Sequence, residues 1–160
     1  MEITTSENEI TAKFTTRASS QQVWASLTTK DGWEAWFSDR VESDFVVGSP
    51  LEMYFEGEGT VTATVTEREE LKCFAYRWHP GESGEKLAMH PDEQTTVRFT
   101  LVENDGQVEL TMTEFGFERI PAERRPKAFA DNQGGWKYMI EQFEAWTESG
   151  VRQANSKGKD

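Results

Sequence analysis

The sequence has few of the residues that usually carry covalent or metal chemistry. Among its 160 residues there are one cysteine and two histidines. A lone Cys73 cannot form an intramolecular disulfide, and a single thiol suits a reducing compartment. We therefore predict a cytoplasmic protein whose fold is held by its core and not by disulfide bonds.

Long apolar runs and an excess of basic residues are also missing. No stretch of about 18 apolar residues occurs, so no membrane span is predicted. The first residues, "MEITTSENEI", lack the basic and apolar regions of a secretion signal and are expected to stay on the chain. There are 29 acidic residues against 17 Lys and Arg, a formal net charge of −12. This charge opposes binding to phosphate backbones, so nucleic acid is not a predicted partner.

Aromatic residues, in contrast, are plentiful. Six tryptophans and ten phenylalanines supply the bulk of a core. A chain of this length is most simply one domain that buries about 70% of its unfolded surface. We predict a single domain over residues 1–160, with its core at about 8–150 and a flexible tail at 151–160.

Alternating apolar and polar residues predict a sheet of seven strands. In the first, over 8–17, Ile10, Ala12 and Phe14 share one face. The tripeptide "NDG" joins the last two strands and is a strong hairpin signal. Strands that follow one another through short turns predict antiparallel pairing. The remaining six predicted strands are 40–47, 51–56, 60–67, 71–78, 94–103 and 107–115.

Two short helices are predicted after the first strand. Ser19 and Gln22 have the spacing of a capping box, which indicates a helix near 20–27. Apolar residues at Trp33, Trp36 and Phe37 have i, i+3, i+4 spacing and indicate a second helix near 30–37.

A long amphipathic helix is predicted at roughly 126–149. Two glycines interrupt it, although each costs roughly 1 kcal/mol relative to alanine in a helix interior. We predict that Gly135, at the flank of the apolar stripe, allows close approach, and that Gly134 marks a bend or weak point. The stripe consists of Phe129, Trp136, Met139, Ile140 and Phe143.

The final helix is expected to cover the apolar face of the sheet, because both apolar surfaces must be buried. The opposite face of the sheet is rich in threonine and charge and is expected to be solvated. The strand alternation assigns to the covered face Leu51, Met53, Phe55, Val61, Ala63, Val65, Phe74, Tyr76, Trp78, Val97, Phe99, Leu101, Val108, Leu110 and Met112.

Six segments carry a resemblance to a known family: "VWASLTTKDGWEAWF", "VGSPLEMYF", "GTVTATVTE", "LKCFAYRW", "VELTMTEFGF" and "GGWKYMIEQFEAW". In order and spacing, over roughly residues 8–148, they resemble the activator-of-heat-shock-ATPase-like branch of the SRPBCC superfamily, which is similar to the birch-pollen-allergen and START folds. The resemblance implies an α+β helix-grip fold, in which a curved antiparallel sheet wraps the C-terminal helix around an apolar cavity.

We predict that this cavity binds a small hydrophobic or amphipathic molecule, lipid-like or aromatic. The predicted lining has polar groups within a large apolar surface and no assembled acid–base set. Its apolar members are Trp36, Phe37, Met53, Phe55, Phe74, Tyr76, Trp78, Phe99, Met112, Trp136, Met139, Ile140 and Phe143.

Two polar residues are predicted to face the cavity. Glu114 has the strand parity of Leu110 and Met112, and it precedes a Gly–aromatic pair where related sequences often place a histidine or another polar group. Two interpretations stay open: a strand-end residue that reaches solvent or an arginine such as Arg119, or a polar anchor or proton-transfer group for a ligand. Asn132, on the apolar side of the final helix, is the second candidate.

No catalytic, cofactor or metal site is predicted. Cys73 and His79 lie about 20 Å apart on an extended strand, and a Cys–His couple needs about 3 Å. By parity Cys73 also faces away from the cavity. Four residues of the irregular loop 79–93 match no standard metal-ligand spacing: His79, Glu85, His90 and Asp92.

Two alternative functions remain open. Some relatives with this fold are polyketide cyclases or aromatases, which work with few charged groups. The resemblance also implies a stress-related co-chaperone that would bind a heat-shock chaperone ATPase through its surface. The sequence favours the binding module, since no catalytic constellation is visible.

Overall fold

The computed structural model describes residues 1–80, 90 and 92–149. Within these residues the chain forms one antiparallel sheet of eight strands in the order β1-β2-β8-β7-β6-β5-β4-β3. The strands are β1 (Glu2–Ser6), β2 (Glu9–Thr16), β3 (Arg40–Ser43), β4 (Pro50–Phe55), β5 (Gly59–Glu69), β6 (Cys73–Trp78), β7 (Thr95–Asn104) and β8 (Gln107–Phe115). The helices are α1 (Ser20–Thr28), α2 (Lys30–Trp36) and α3 (Arg125–Ser149).

The α+β helix-grip architecture is confirmed, and the strand count is corrected from seven to eight. The extra strand, β1, pairs with β2 in a register that sets Ser6 opposite Glu9. In β1 only Ile3 is partly buried. A strand with so little buried surface has no clear alternation of apolar and polar residues, so the sequence does not predict it.

Another predicted strand, 40–47, is shorter than expected. β3 ends at Ser43, and Phe45 takes a left-handed φ of 56°. The Ser43 hydroxyl accepts a hydrogen bond from the backbone N–H of Phe45 at 2.9 Å. The apolar run "FVV" therefore belongs to a turn, with Val46 and Val47 exposed.

The hairpin between β7 and β8 has the predicted tight turn. Asn104 lies opposite Gln107, and the two residues between them, Asp105 and Gly106, have φ of 54° and 77°. Positive φ at both central positions is the requirement of a type I′ turn.

The two short helices, α1 and α2, are joined to each other by hydrogen bonds. Both bonds of the Ser19–Gln22 capping box are present. The indoles of Trp33 and Trp36 donate to the backbone carbonyls of Leu27 and Ser26, at 2.6 and 2.9 Å. These bonds fix α2 to the end of α1.

The long helix α3 covers the inner face of the sheet. Phe143 stacks on Trp36 at 4.2 Å between ring centroids and meets Phe14 of β2 edge-on at 5.3 Å. The residues of α3 that are buried are Ala128, Asn132, Trp136, Ile140 and Phe143.

The predicted close approach at Gly135 is wrong. Both Gly134 and Gly135 are exposed, and a Cβ added to either would meet nothing within 4 Å. The reason is the helical rotation of about 100° per residue from Trp136, which turns Gly135 away from the sheet. The helix continues without a break through both positions.

None of the helices in the described ranges is long and apolar enough to cross a membrane. The predicted tail at 151–160 lies outside these ranges, and so does most of the irregular loop.

Candidate functional site

The most unusual group in the core is the carboxylate of Glu114. This residue lies near the end of β8, its Cα partners are Ile10 and Val97, and its side chain has no exposed surface. Strand alternation therefore predicted its direction correctly. The alternative of a side chain that reaches solvent is wrong, and the role of Glu114 as a ligand anchor stays a prediction.

Four side chains donate hydrogen bonds to this carboxylate. The Trp78 indole and the Thr95 hydroxyl donate to Oε2 at 2.8 and 2.5 Å. The Trp136 indole donates to Oε1 at 2.7 Å, and the Asn132 amide contacts both oxygens at 2.9 and 3.0 Å. We call these five residues the carboxylate network.

The network joins the sheet to the long helix. Trp78 ends β6 and Thr95 begins β7, where the two residues are direct Cα partners. Asn132 and Trp136 are four residues apart on α3 and so lie on one face of that helix. The carboxylate thus fixes α3 against three neighbouring strands.

All four donors are neutral. Burial raises the pKa of Glu114, and the hydrogen bonds from Thr95, Trp78, Asn132 and Trp136 oppose that rise. An indole N–H can donate but cannot accept, so the two tryptophans are satisfied by an acceptor-only, ionised carboxylate.

A second buried polar group, the hydroxyl of Tyr76, lies near this network. Tyr76 and Glu114 are both Cα partners of Val97, so their Cα atoms are separated by two strand spacings, about 10 Å. The Tyr76 hydroxyl is buried without a hydrogen-bond partner. Burial and the negative charge of Glu114 raise its pKa well above the ordinary value.

The two tryptophans of the network form an aromatic cluster with Phe37. The ring centroids are 5.7 Å apart for Phe37 and Trp136, 6.2 Å for Phe37 and Trp78, and 6.0 Å for Trp78 and Trp136. Tyr76 contacts Trp78 at 5.3 Å and Phe55 contacts Phe37 at 5.6 Å. The polar end of the interior is therefore surrounded by ring systems.

The remaining predicted lining residues lie in the apolar part of the same core. Phe99 meets Trp136 at 6.1 Å and Phe143 at 6.5 Å, and so connects the aromatic cluster to the deeper core. All of the predicted apolar lining is buried except Met139, which is partly buried. That these residues line a ligand cavity stays a prediction. The others in this part are Trp36, Met53, Phe74, Met112 and Ile140.

The sequence reasoning missed three buried residues here. Thr95 shares the parity of Val97 and Phe99, which was the available signal for its inward direction. Trp33 is fully buried and touches Tyr76 and Phe99. Ser38, next to Phe37, has a buried hydroxyl without a partner, and no pattern in the sequence indicates it.

Cys73 is placed on the opposite face of the sheet, as predicted. Its thiol accepts a hydrogen bond from Arg98 Nε at 3.2 Å, and burial raises its pKa. Glu85, which was considered as a metal ligand, lies outside the described residues. Across the described ranges, no group of three or more His, Cys, Asp and Glu side chains could hold a metal ion.

A surface cleft of about 470 Å³ lies elsewhere, between α1, α2 and the end of α3. It shares no residue with the carboxylate network or the aromatic cluster. Its walls are Gln22, Ala25, Ser26, Thr29, Asp31, Gly32, Trp146, Thr147, Glu148 and Ser149.

The sequence profile of the family described as "Activator of Hsp90 ATPase homolog 1-like protein" matches residues 17–148. The chain belongs to this family. The match includes β3 to β8, α1, α2, α3 as far as Glu148, and every member of the carboxylate network. No curated protein sequence matches the chain.

Solved structures share the fold of this family member at low sequence identity. The Aha1 dimer from Colwellia psychrerythraea is 20% identical with a TM-score of 0.70, over 90% of this chain and 98% of that one. DynU16, a putative protein in the dynemicin biosynthetic locus, is 17% identical with a TM-score of 0.73, over 92% of this chain and 49% of that one. Protein MLL2253 from Mesorhizobium loti is 22% identical with a TM-score of 0.69, over 86% and 94%.

Proposed function

We propose that this protein binds a small hydrophobic or amphipathic molecule between the sheet and α3, with the polar end of the molecule near Glu114. The observation that carries the proposal is the carboxylate network, a fully buried Glu114 held by four neutral donors within an aromatic interior.

Stability alone is a poor reason for such a group. Transfer of a carboxylate out of water is costly, and replacing a buried polar group together with its partners by apolar groups of the same shape can be nearly neutral or stabilising. The unpartnered Tyr76 hydroxyl adds a second cost, about 1–3 kcal/mol for a buried polar group without a partner. The buried carboxylate of Glu114 and the unpartnered hydroxyl of Tyr76 are both unfavourable for stability and lie in one part of the core. This supports a role for them in ligand recognition.

One structural neighbour supports the same proposal. DynU16 is named as a protein of a biosynthetic locus, and its fold is similar to that of this chain. A cyclase-like reaction is the alternative for the same site, where Glu114 is the one buried carboxylate within the described core. A binding role requires only the polar anchor and its aromatic surroundings.

The test is a binding titration with a panel of neutral flavonoids, sterols and aromatic alcohols, followed by amide NMR and tryptophan fluorescence. Binding should shift signals of Trp78, Trp136 and Tyr76, because these residues surround Glu114. Glu114→Gln should weaken binding by about tenfold, or about 1.4 kcal/mol. Glu67→Gln, on the outer face of the sheet, is the matched control and should leave affinity unchanged.

Two results would overturn the proposal. One is a complete absence of shifts across the panel. The other is binding that shifts only signals of the surface cleft near Trp146 and is unaffected by Glu114→Gln.

A second candidate function is suggested by the family description and by the Aha1 fold neighbour. Under it, the chain would bind a heat-shock chaperone ATPase through its surface without a small molecule. Recovery of the chaperone in stoichiometric amount from host lysate, unaffected by Glu114→Gln, would favour this candidate over the first. A pull-down that returns no chaperone would remove it.

A further inference from the structure

The carboxylate network has no positive charge. Its four donors are two indoles, an amide and a hydroxyl. The largest influences on the pKa of Glu114 are burial and these four hydrogen bonds, and none of them comes from a lysine or an arginine. In its ionised form, Glu114 gives the interior one negative charge that the network hydrogen-bonds but does not neutralise.

The groups around this charge are suited to a cation. The faces of tryptophan, tyrosine and phenylalanine rings attract cations through their quadrupoles. On the surface, Arg40 and Arg68 already lie over Tyr54 and Trp24 in this way, at 4.2 and 5.6 Å from the ring centroids. In the aromatic cluster of Phe37, Trp78 and Trp136 the described residues place no cation.

The Tyr76 hydroxyl supplies a further acceptor near the carboxylate. A protonated amine has three donors and no acceptor, so it needs several oxygens around it. The unpartnered phenol oxygen of Tyr76 is one such acceptor, on the part of the inner face next to Glu114. The Glu114 carboxylate already accepts from four donors, so it would attract the amine through its charge.

We propose that the ligand is an amphipathic organic cation, a hydrophobic molecule with a protonated amine, and that Glu114 disfavours fatty acids and other organic anions. This inference rests on the proposed function and narrows its ligand class. A carboxylate ligand would bring a second negative charge next to Glu114 in a region that excludes water, and like charges there repel more strongly than in water.

The test uses three ligands that each carry a phenyl group on a four-carbon chain and differ in their charge at pH 7. They are 4-phenylbutylamine, 4-phenylbutanol and 4-phenylbutanoate, titrated by calorimetry and amide NMR. We expect the amine to bind at least tenfold more tightly than the alcohol, and the carboxylate at least tenfold more weakly. Equal affinities, or tighter binding of the carboxylate, would overturn the inference.

Variants test which residues cause the preference for the amine over the carboxylate. Glu114→Gln should reduce the ratio of amine to carboxylate affinity by at least tenfold, whereas Glu67→Gln should leave the ratio unchanged. Tyr76→Phe keeps the ring and removes only an unpartnered hydroxyl, so it should fold even if Glu114→Gln does not. It should weaken amine binding severalfold, and an unchanged amine affinity in both folded variants would contradict the assigned site.

The outcomes also separate the inference from the proposed function. If the alcohol binds in the core but the amine has no advantage, the charge selectivity is wrong and the binding function stands. If none of the three binds and the neutral panel also fails, both are wrong.

Discussion

Two glutamates on opposite faces of the same sheet are stabilised in different ways. Glu67, on the outer face of β5, pairs with Arg98 at 3.1 Å, and the two side chains are 42% and 46% exposed. Glu114, on the inner face of β8, has no exposed surface and no cationic partner among the described residues. One carboxylate is solvated and ion-paired, and the other is buried among neutral donors.

The difference shows what burial demands of a charge. An exposed ion pair contributes little, since water already stabilises both partners. In the interior a lysine or arginine would add its own desolvation cost to that of Glu114. Neutral donors stabilise the carboxylate without that cost, and they do not neutralise its charge.

The largest expected contrast comes from removing each carboxylate. Glu114→Met keeps the approximate volume but leaves the indoles of Trp78 and Trp136 without an acceptor, so it should lower the free energy of unfolding by about 2–5 kcal/mol. Glu67→Met should change it by less than about 1 kcal/mol. Urea denaturation measures both. Equal effects would mean that the carboxylate network contributes no more than the surface pair.

A smaller effect is expected when one donor is removed. Trp136→Phe keeps a ring in the aromatic cluster and deletes the 2.7 Å bond to Glu114, for an expected loss of about 1.5–3 kcal/mol. Trp24→Phe deletes a 3.1 Å indole hydrogen bond to Glu70 near the surface. It should lower the free energy of unfolding by about 1 kcal/mol less than Trp136→Phe does. If Trp24→Phe costs as much as Trp136→Phe, burial does not strengthen these bonds.

The pH dependence of stability tests the charge itself. Because burial raises the pKa of Glu114 above its ordinary 4.5, the folded state still holds a proton between pH 4.5 and the raised pKa, where the unfolded state has already lost it. The stability of the wild type relative to the Glu114→Gln variant should therefore fall as pH rises from 4.5 to the folded pKa, by at most about 1.4 kcal/mol per pH unit, and then level off. Below 4.5 the difference should be flat. A relative stability that rises with pH would show that the four hydrogen bonds outweigh desolvation.

Much of this arrangement was predictable from sequence, because strand side chains alternate with a strict period of two. The inward direction of Glu114 follows from its spacing to Leu110 and Met112 on the same strand. Asn132 was recognised because it interrupts the apolar side of a helix. β1 was missed because an edge strand with mostly exposed residues leaves no such pattern.

The hydrogen bonds of the network could not be predicted in the same way. The donors lie 18 to 36 residues from Glu114 in the chain. Whether Asn132 and Trp136 reach Glu114 depends on how α3 is rotated about its axis against the sheet. A periodic pattern gives that rotation only to within about one residue. The same uncertainty in rotation explains the error at Gly135, which was placed at the flank of the buried stripe and is exposed.

The smallest expected effect concerns Gly135. It compares the solvent-facing side of α3 with the side that packs against the sheet. In Gly135→Ala the new methyl group meets open space, and alanine both favours the helix and restricts the unfolded chain, so stability should rise by about 0.4–1 kcal/mol. Asn132 and Trp136 keep their positions, so ligand affinity should be unchanged. A variant that is stabilised but binds more weakly would show that α3 must bend near Gly134 to admit the ligand, because the substitution touches no residue of the carboxylate network. Destabilisation would instead mean that the solvent-facing side of α3 is packed against something, in conflict with the open space around both glycines.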